Sequence, residues 1–211
     1  TSDGDLAFYI PPTLDGYPVT GLSDYAFSNA DVSIISLPAS IKTIGNSVFS
    51  YCSKLSSLSI SADSPYFKTI DNVLFDKSGA TLVAYPQNKR NSAGTGPNTS
   101  YTIPDGVTTI ANYAFFVCRG LTEIVFPNSL TSIGDSAFYT CDGLTGIVFP
   151  NSLISIGKDA FSSCSGLTEI ILPNSLISIG NHAFSECSQL AKVTIPSSVT
   201  NMGQNAFSFC P

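Results

Sequence analysis

LTEIVFPNSLTSIGDSAFYTCDG (residues 121–143), LTGIVFPNSLISIGKDAFSSCSG (144–166) and LTEIILPNSLISIGNHAFSECSQ (167–189) follow one another without a gap. Read outward from these three units, the pattern keeps its step. Phe115, Phe138, Phe161, Phe184 and Phe207 recur every 23 residues, as do Cys118, Cys141, Cys164, Cys187 and Cys210, and Pro104, Pro127, Pro150, Pro173 and Pro196. Toward the N-terminus, Ile41-Lys42-Thr43-Ile44-Gly45 with Phe49 and Cys52 is a further unit, and Val19-Thr20-Gly21-Leu22 with Ala26-Phe27 a worn one. A fixed period of this length marks a solenoid, in which each unit buries its apolar face only against its neighbours.

Within one unit, Leu121, Ile124 and Phe126 suit a short strand ended by Pro127, which cannot donate to a ladder. Ser129 supports a turn, and Leu130 and Ile133 form a second extended piece closed by Gly134. Asp135-Ser136-Ala137-Phe138 reads as a capped helical turn leading through Cys141 into the next strand. Stacked units at the ~4.8 Å strand spacing then share one continuous core.

Composition narrows the function. The chain has 211 residues, 43% of them hydrophobic but only 11% charged, against a usual charged share of about 25%. Nine Lys and Arg against fifteen Asp and Glu leave a net charge of −6. That balance disfavours nucleic acid, whose phosphates require clustered cations, and anionic membrane surfaces. No apolar run approaches the ~20 residues that span a bilayer, so no membrane insertion is expected. The chain opens at Thr1 without an apolar leader, which gives the expectation that a signal peptide has been removed. One His, no Trp and no phosphate-cradling glycine loop make catalysis an unpromising reading, and no cofactor or metal is expected.

The L-x-x-I-x-(F/I/L)-P…(V/L)-T-x-I-G…A-F…C-x-x-L pattern resembles the BspA-like, or treponemal-type, leucine-rich repeats of bacterial and some protist surface proteins. The resemblance covers nearly the whole chain, and the recurring A-F…C element makes it specific. Residues 61–86 (SADSPYFKTIDNVLFDKSGATLVAYP) resemble the recurring hairpin insertion of that family, with Asp76-Lys77-Ser78-Gly79 as the turn, and IPPTLDGYPVTGL resembles its first repeat. The departures are Ala111 in a Gly slot, Ala30 in a Cys slot, and a stop at Cys210-Pro211 where a Leu would open another strand. The last of these gives the expectation that the chain continues in a longer protein.

The expected fold is therefore an α/β repeat solenoid: a right-handed leucine-rich-repeat superhelix of about seven or eight coils. Short parallel strands would be joined by short helical or 3-10 turns, with one β-hairpin insertion. Residues 1–211 would form a single domain, with the hairpin insertion at about 61–86. A mobile loop would follow at about 87–98, polar, Gly/Pro-punctuated and open to proteases at Lys89-Arg90.

Five of the six cysteines share one repeat slot beside Phe, so they form an inward ladder of free thiols rather than facing pairs, and zinc spacing is absent. His182 falls in a tolerant slot before Ala183-Phe184, with Glu186 four residues on as a possible surface partner. Asn98-Thr99-Ser100 is a glycosylation sequon that matters only in a eukaryotic host. With Leu, Ile and Phe inward, the second and fourth positions after the leading Leu face outward. They read Glu123/Val125, Gly146/Val148, Glu169/Ile171 and Lys192/Thr194 in successive units. Val125, Val148 and Ile171 then align as an apolar stripe bordered by charge, which reads equally as strand propensity or as a partner site. Ile154 and Ile177 form a second outward pair on the other strand row, read as a trace of repeat duplication.

The candidate protein-binding residues are accordingly Glu123, Val125, Val148, Glu169, Ile171 and Lys192. The resemblance implies a secreted or cell-surface adhesin of a host-associated microbe that binds extracellular glycoproteins such as fibronectin or fibrinogen. Two other readings stand beside it. One is a structural spacer that presents another domain, favoured by the near identity of 121–189. The other is a carbohydrate-binding module using Tyr9, Tyr17, Tyr25, Tyr51 and Tyr113 as stacking platforms.

Overall fold

In the strand Glu123–Val125 only the central Ile124 is buried, and this one-sided alternation sets the path of the chain. The computed structural model describes residues 6–91, 94 and 96–211. Among the described residues eight coils stack along one axis, each carrying a leading strand and a second strand, in most coils the shorter, from the segment that follows it. The leading strands are Ala7–Tyr9, Ile34–Leu37, Ser57–Ile60, Ser100–Thr102, Glu123–Val125, Ile147–Val148, Glu169–Ile171 and Lys192–Thr194. They form three parallel sheets, over the first three coils, the fourth and fifth, and the sixth to eighth, and in the last two the register follows the repeat, with Ser100 opposite Glu123 and Glu169 opposite Lys192. On the second face, Thr109–Ile110, Ser132–Ile133, Ser155–Ile156, Ser178–Ile179 and Asn201–Met202 form a continuous parallel row.

The third face corrects the sequence reading, because among the described residues it contains no helix. In every coil but the third, two residues four apart take the left-handed conformation: Ser136 and Thr140 in the fifth coil, Asp159 and Ser163 in the sixth, His182 and Glu186 in the seventh. Such non-glycine residues cost ~1–2 kcal/mol each and forbid a continuing right-handed helix. The alternation turns every second N–H along the axis, toward the following coil. Ser136, Phe138 and Thr140 donate to the carbonyls of Lys158, Ala160 and Ser162 at 2.8, 2.7 and 2.8 Å. Each net hydrogen bond contributes ~1 kcal/mol, so three per junction offset much of the strain. The Asp135 carboxylate, expected to cap its own turn, instead accepts the N–H of Lys158 one coil on, at 2.7 Å.

Inside, the phenylalanines stack face to face, with ring centroids 4.7 Å apart for Phe115–Phe138 and 4.9 Å for Phe138–Phe161. The repeated glycine serves close approach between coils. A Cβ at Gly157 would meet the Asp135 backbone nitrogen at 2.7 Å and the Gly134 carbonyl carbon at the same distance.

The insertion is a three-stranded meander rather than one hairpin. Phe67–Ile70 pairs antiparallel with Val73–Asp76 through a second tight turn at Asp71-Asn72, both residues left-handed. Val73–Asp76 then pairs antiparallel with Thr81–Ala84 across the expected Asp76-to-Gly79 turn, which the Asp76 carboxylate closes by accepting the N–H groups of Gly79 and Thr81. Hydrogen bonds, that of Ser78 Oγ first among them, hold the Asp76 carboxyl below its usual range against the opposing pull of burial. Val73, Leu74 and Phe75 are all fully buried, so this strand is covered on both faces. It divides the interior: Val73, Phe75 and Leu82 belong to the core of the later coils, Leu74 and Ala84 to that of the earlier ones.

Residues 92, 93 and 95 of the expected mobile loop lie outside the described residues. Its described stems are tied together, the N–H of Asn98 donating to the Lys89 carbonyl at 2.7 Å. Lys89, read from sequence as open to proteases, is buried, with Nζ 2.8 Å from Asp71. Desolvation explains the correction: a buried ammonium needs a carboxylate, and the turn at Asp71 supplies it.

Candidate binding surface

The leading strands carry their outward side chains in two columns. Val125, Val148 and Ile171 share one column, and Val148 is the extreme, 85% exposed. Val148 stands opposite Ile171 in the ladder and Ile171 opposite Thr194, so Val148 and Ile171 are direct cross-strand neighbours. In the second column Lys192 is paired with the Glu169 carboxylate. That pair is solvent-exposed and contributes ~1 kcal/mol or less. Glu123 is exposed in the same column, opposite Ser100.

Gly146 interrupts that column of charge. Nothing lies within 4 Å of where its Cβ would be, and the strand of its coil is shortened to Ile147–Val148. The result is an open notch of about 420 Å³, bounded by Gly146, Val148, Phe149, Glu169, Ile171 and Pro173 among others. All six candidate residues therefore lie on one face, and the notch divides Glu123 from the Glu169–Lys192 pair. The sequence marks the notch only as a glycine among glutamates. On the second row, Ile154 and Ile177 are also exposed, 45% and 46%.

The cysteines are free and, apart from half-buried Cys210, fully buried. They do more than fill space. Cys141, Cys164 and Cys187 donate from Sγ to the carbonyls of Phe115, Phe138 and Phe161, one coil back, at 3.1, 3.1 and 3.3 Å. Burial pushes the Cys187 thiol up to about 12 and those of Cys118, Cys141 and Cys164 well above their ordinary range. Thiols so hard to ionise are poor nucleophiles and poor metal ligands. Sequence reasoning missed the sulfur-to-carbonyl contact, since only the register brings the two together.

His182 does not meet Glu186. Its ring lies between coils, with Nδ1 3.9 Å from Asp159 Oδ1 and Nε2 3.3 Å from Asn205 Nδ2, while Glu186 accepts from Ser163 Oγ at 3.0 Å. Same-slot neighbours one coil apart are closer than residues four apart on one turn, because this turn is not helical. Among the described residues, no helix is long and apolar enough to cross a membrane.

The repeat and the fold have counterparts in known proteins. The profile described as "BspA type Leucine rich repeat region" matches residues 15–93 and 93–211, in six copies. The chain belongs to the BspA-type leucine-rich repeat family. Among solved structures, this BspA-type chain is similar to the pneumococcal vaccine antigen PcpA, with a TM-score of 0.79 and 26% identity over 94% of its own length. It is also similar to a leucine-rich cell surface protein from Faecalibacterium prausnitzii, with a TM-score of 0.77 and 28% identity over 97%. A leucine-rich repeat protein from Eubacterium ventriosum shares the fold at 23% identity and a TM-score of 0.61. The chain spans 50%, 62% and 65% of those three structures, less than two thirds of each. A comparison with curated protein sequences gave no match.

Proposed function

We propose that this BspA-type chain is a non-catalytic protein-binding scaffold of a bacterial surface, with adhesion to an extracellular glycoprotein as its role. The observation that carries the reading is the outward column of Val125, Val148 and Ile171, with Val148 85% exposed beside the Gly146 notch. Contiguous apolar area of this kind on a polar protein marks an interaction surface. The strands that present it are locked into their neighbours, so docking orders few groups and loses little entropy. Glu123 and the Glu169–Lys192 pair would set orientation, and a partner side chain would enter the notch. Surface location is supported by the Faecalibacterium relative, described as a cell surface protein.

The test is binding of the purified chain to immobilised fibronectin, fibrinogen, mucin and collagen, beside a Val148→Asp/Ile171→Asp variant. Saturable binding lost in the variant supports the strand face. Binding retained in the variant moves the contact elsewhere. No binding at micromolar concentration favours the spacer reading, in which the solenoid only presents another domain.

A further inference from the structure

The ladder of turn N–H groups fails at one junction. In the first coil, and from the fourth to the seventh, the N–H groups at alternate turn positions reach carbonyls of the following coil. In the second coil the equivalent groups belong to Ser47, Phe49 and Tyr51, and among the described residues none of the three has an acceptor. The cause lies in the third coil. Where its A-F…C turn would stand, the chain runs on from Ala84 as Tyr85-Pro86-Gln87. Tyr85 fills the phenylalanine slot, its ring stacked 4.8 Å from Phe115, and its N–H donates to the Ala114 carbonyl at 2.8 Å. Gln87 Nε2 stands in for a second missing amide, donating to the Phe116 carbonyl at 2.7 Å. Both satisfy the fourth coil, and neither offers an acceptor to the second.

What remains is a cleft of about 190 Å³ between residues 44–50 and 111–116, with Val83, Ala84, Tyr85 and Gln87 completing its lining. Two further observations mark it. Ser50, only 4% exposed and part of the lining, has a hydroxyl with no hydrogen-bond partner. A buried polar group left so costs ~1–3 kcal/mol. The cleft also explains Ala111, which stands in the repeat's glycine slot. At Gly45, Gly134, Gly157, Gly180 and Gly203 a Cβ would strike the preceding coil's backbone, but Ala111 borders the cleft, where that turn is missing.

We propose that this cleft binds an extended peptide segment through its main-chain carbonyls. At every complete junction the acceptors facing these donors are peptide carbonyls on alternate residues, as Asn46, Val48 and Ser50 are for the first coil. No Lys or Arg lines the cleft and the chain carries a net charge of −6, so nothing there favours an anion over a neutral carbonyl. At the rim, the rings of Tyr113 and Tyr51 pack on Phe116 at 5.6 and 5.3 Å and offer apolar faces to the peptide's side chains. The mode is strand addition carried over to a turn ladder: main-chain bonds hold the segment and the rim selects it. The site is separate from the strand column and does not depend on it.

The experiment is amide NMR of the full chain titrated with N-acetyl-Ala-Phe-Ala-amide, with sodium acetate and N-acetylglucosamine as separate arms. The expected result is saturable shifts at the Ser47, Phe49 and Tyr51 amides with the peptide alone. They should weaken at least five-fold in Tyr113→Asn and stay unchanged in Tyr25→Asn, a matched control because both tyrosines sit at φ near +60°. Stronger shifts at these amides with acetate or the sugar overturn the peptide assignment, as does the absence of shifts at millimolar peptide. Hydrogen exchange is the second readout. Protection of Ser47, Phe49 and Tyr51 as strong as that of Ser136, Phe138 and Thr140 would show the donors already paired and remove the site.

Discussion

The thiol of Cys164 donates to the carbonyl of Phe138, 3.1 Å away and one coil back, and that same carbonyl accepts the N–H of Cys141. One oxygen thereby ties the end of its own turn to the next coil. Cys164→Ala should lower stability by about 1–2 kcal/mol in urea unfolding, from the lost bond and a small void. Cys164→Ser keeps a donor and should cost less. A serine variant weaker than the alanine variant would show the thiol acting only as an apolar filler.

Alkaline stability follows from the same thiols. In the unfolded chain a cysteine ionises near 9.0, whereas buried Cys187 holds its proton to about 12. Between those values the unfolded state binds fewer protons than the native state, so stability falls as pH rises. Below pH 9 the contribution is complete and flat. Thermal melts should show a flat Tm from neutral pH to about pH 9 and a steady loss above it, reduced in a variant lacking Cys187. An unchanged slope in that variant would mean the thiol is solvated.

Gly157→Ala should destabilise by about 1–3 kcal/mol, because the added methyl lies 2.7 Å from backbone of the preceding coil. Gly146→Ala, with open space at its Cβ, should be neutral or slightly stabilising through reduced freedom of the unfolded chain. Equal effects of the two, measured by denaturant midpoint, would contradict the close-approach account.

Val117 and Thr140 are β-branched yet left-handed, with φ of 60° and 55°. Asparagine tolerates that region far better. Val117→Asn and Thr140→Asn should each raise stability by about 0.5–1 kcal/mol, read as a higher Tm. A fall would mean that packing of the branched side chain outweighs the backbone strain.

The solenoid and its inward positions were legible because period 23 repeats the same demand at the same slot: Phe138, Phe161 and Phe184 are fully buried as their spacing requires. The turn face was not. Asp-Ser-Ala-Phe has the letters of a capped helix, and the left-handed slot holds Tyr, Ser, Asp, His or Asn without a common signature. Hydrogen bonds to the next coil decide that backbone, and one unit read alone does not contain them. Asp71-Asn72 was hidden for a related reason, since a single turn at Asp76 already accounted for the apolar runs beside it. For the strand column, exposure was legible from alternation. The notch at Gly146 depends on the missing carboxylate between two others and became visible only in three dimensions. Ala111 was a printed clue to the broken ladder, readable once the glycine's role was known.

The break also has a mechanical side. Along most of the axis, neighbouring coils are joined on three faces, so bending stretches hydrogen bonds on whichever side is outermost. Between the second and third coils the turn-face bonds are missing, and the second-row strands Thr43–Ile44 and Thr81–Ala84 are not paired. Bending toward or away from that face meets less resistance there than at a junction bonded on all three faces, so load concentrates at this joint. A segment lodged in the cleft would act as a splint.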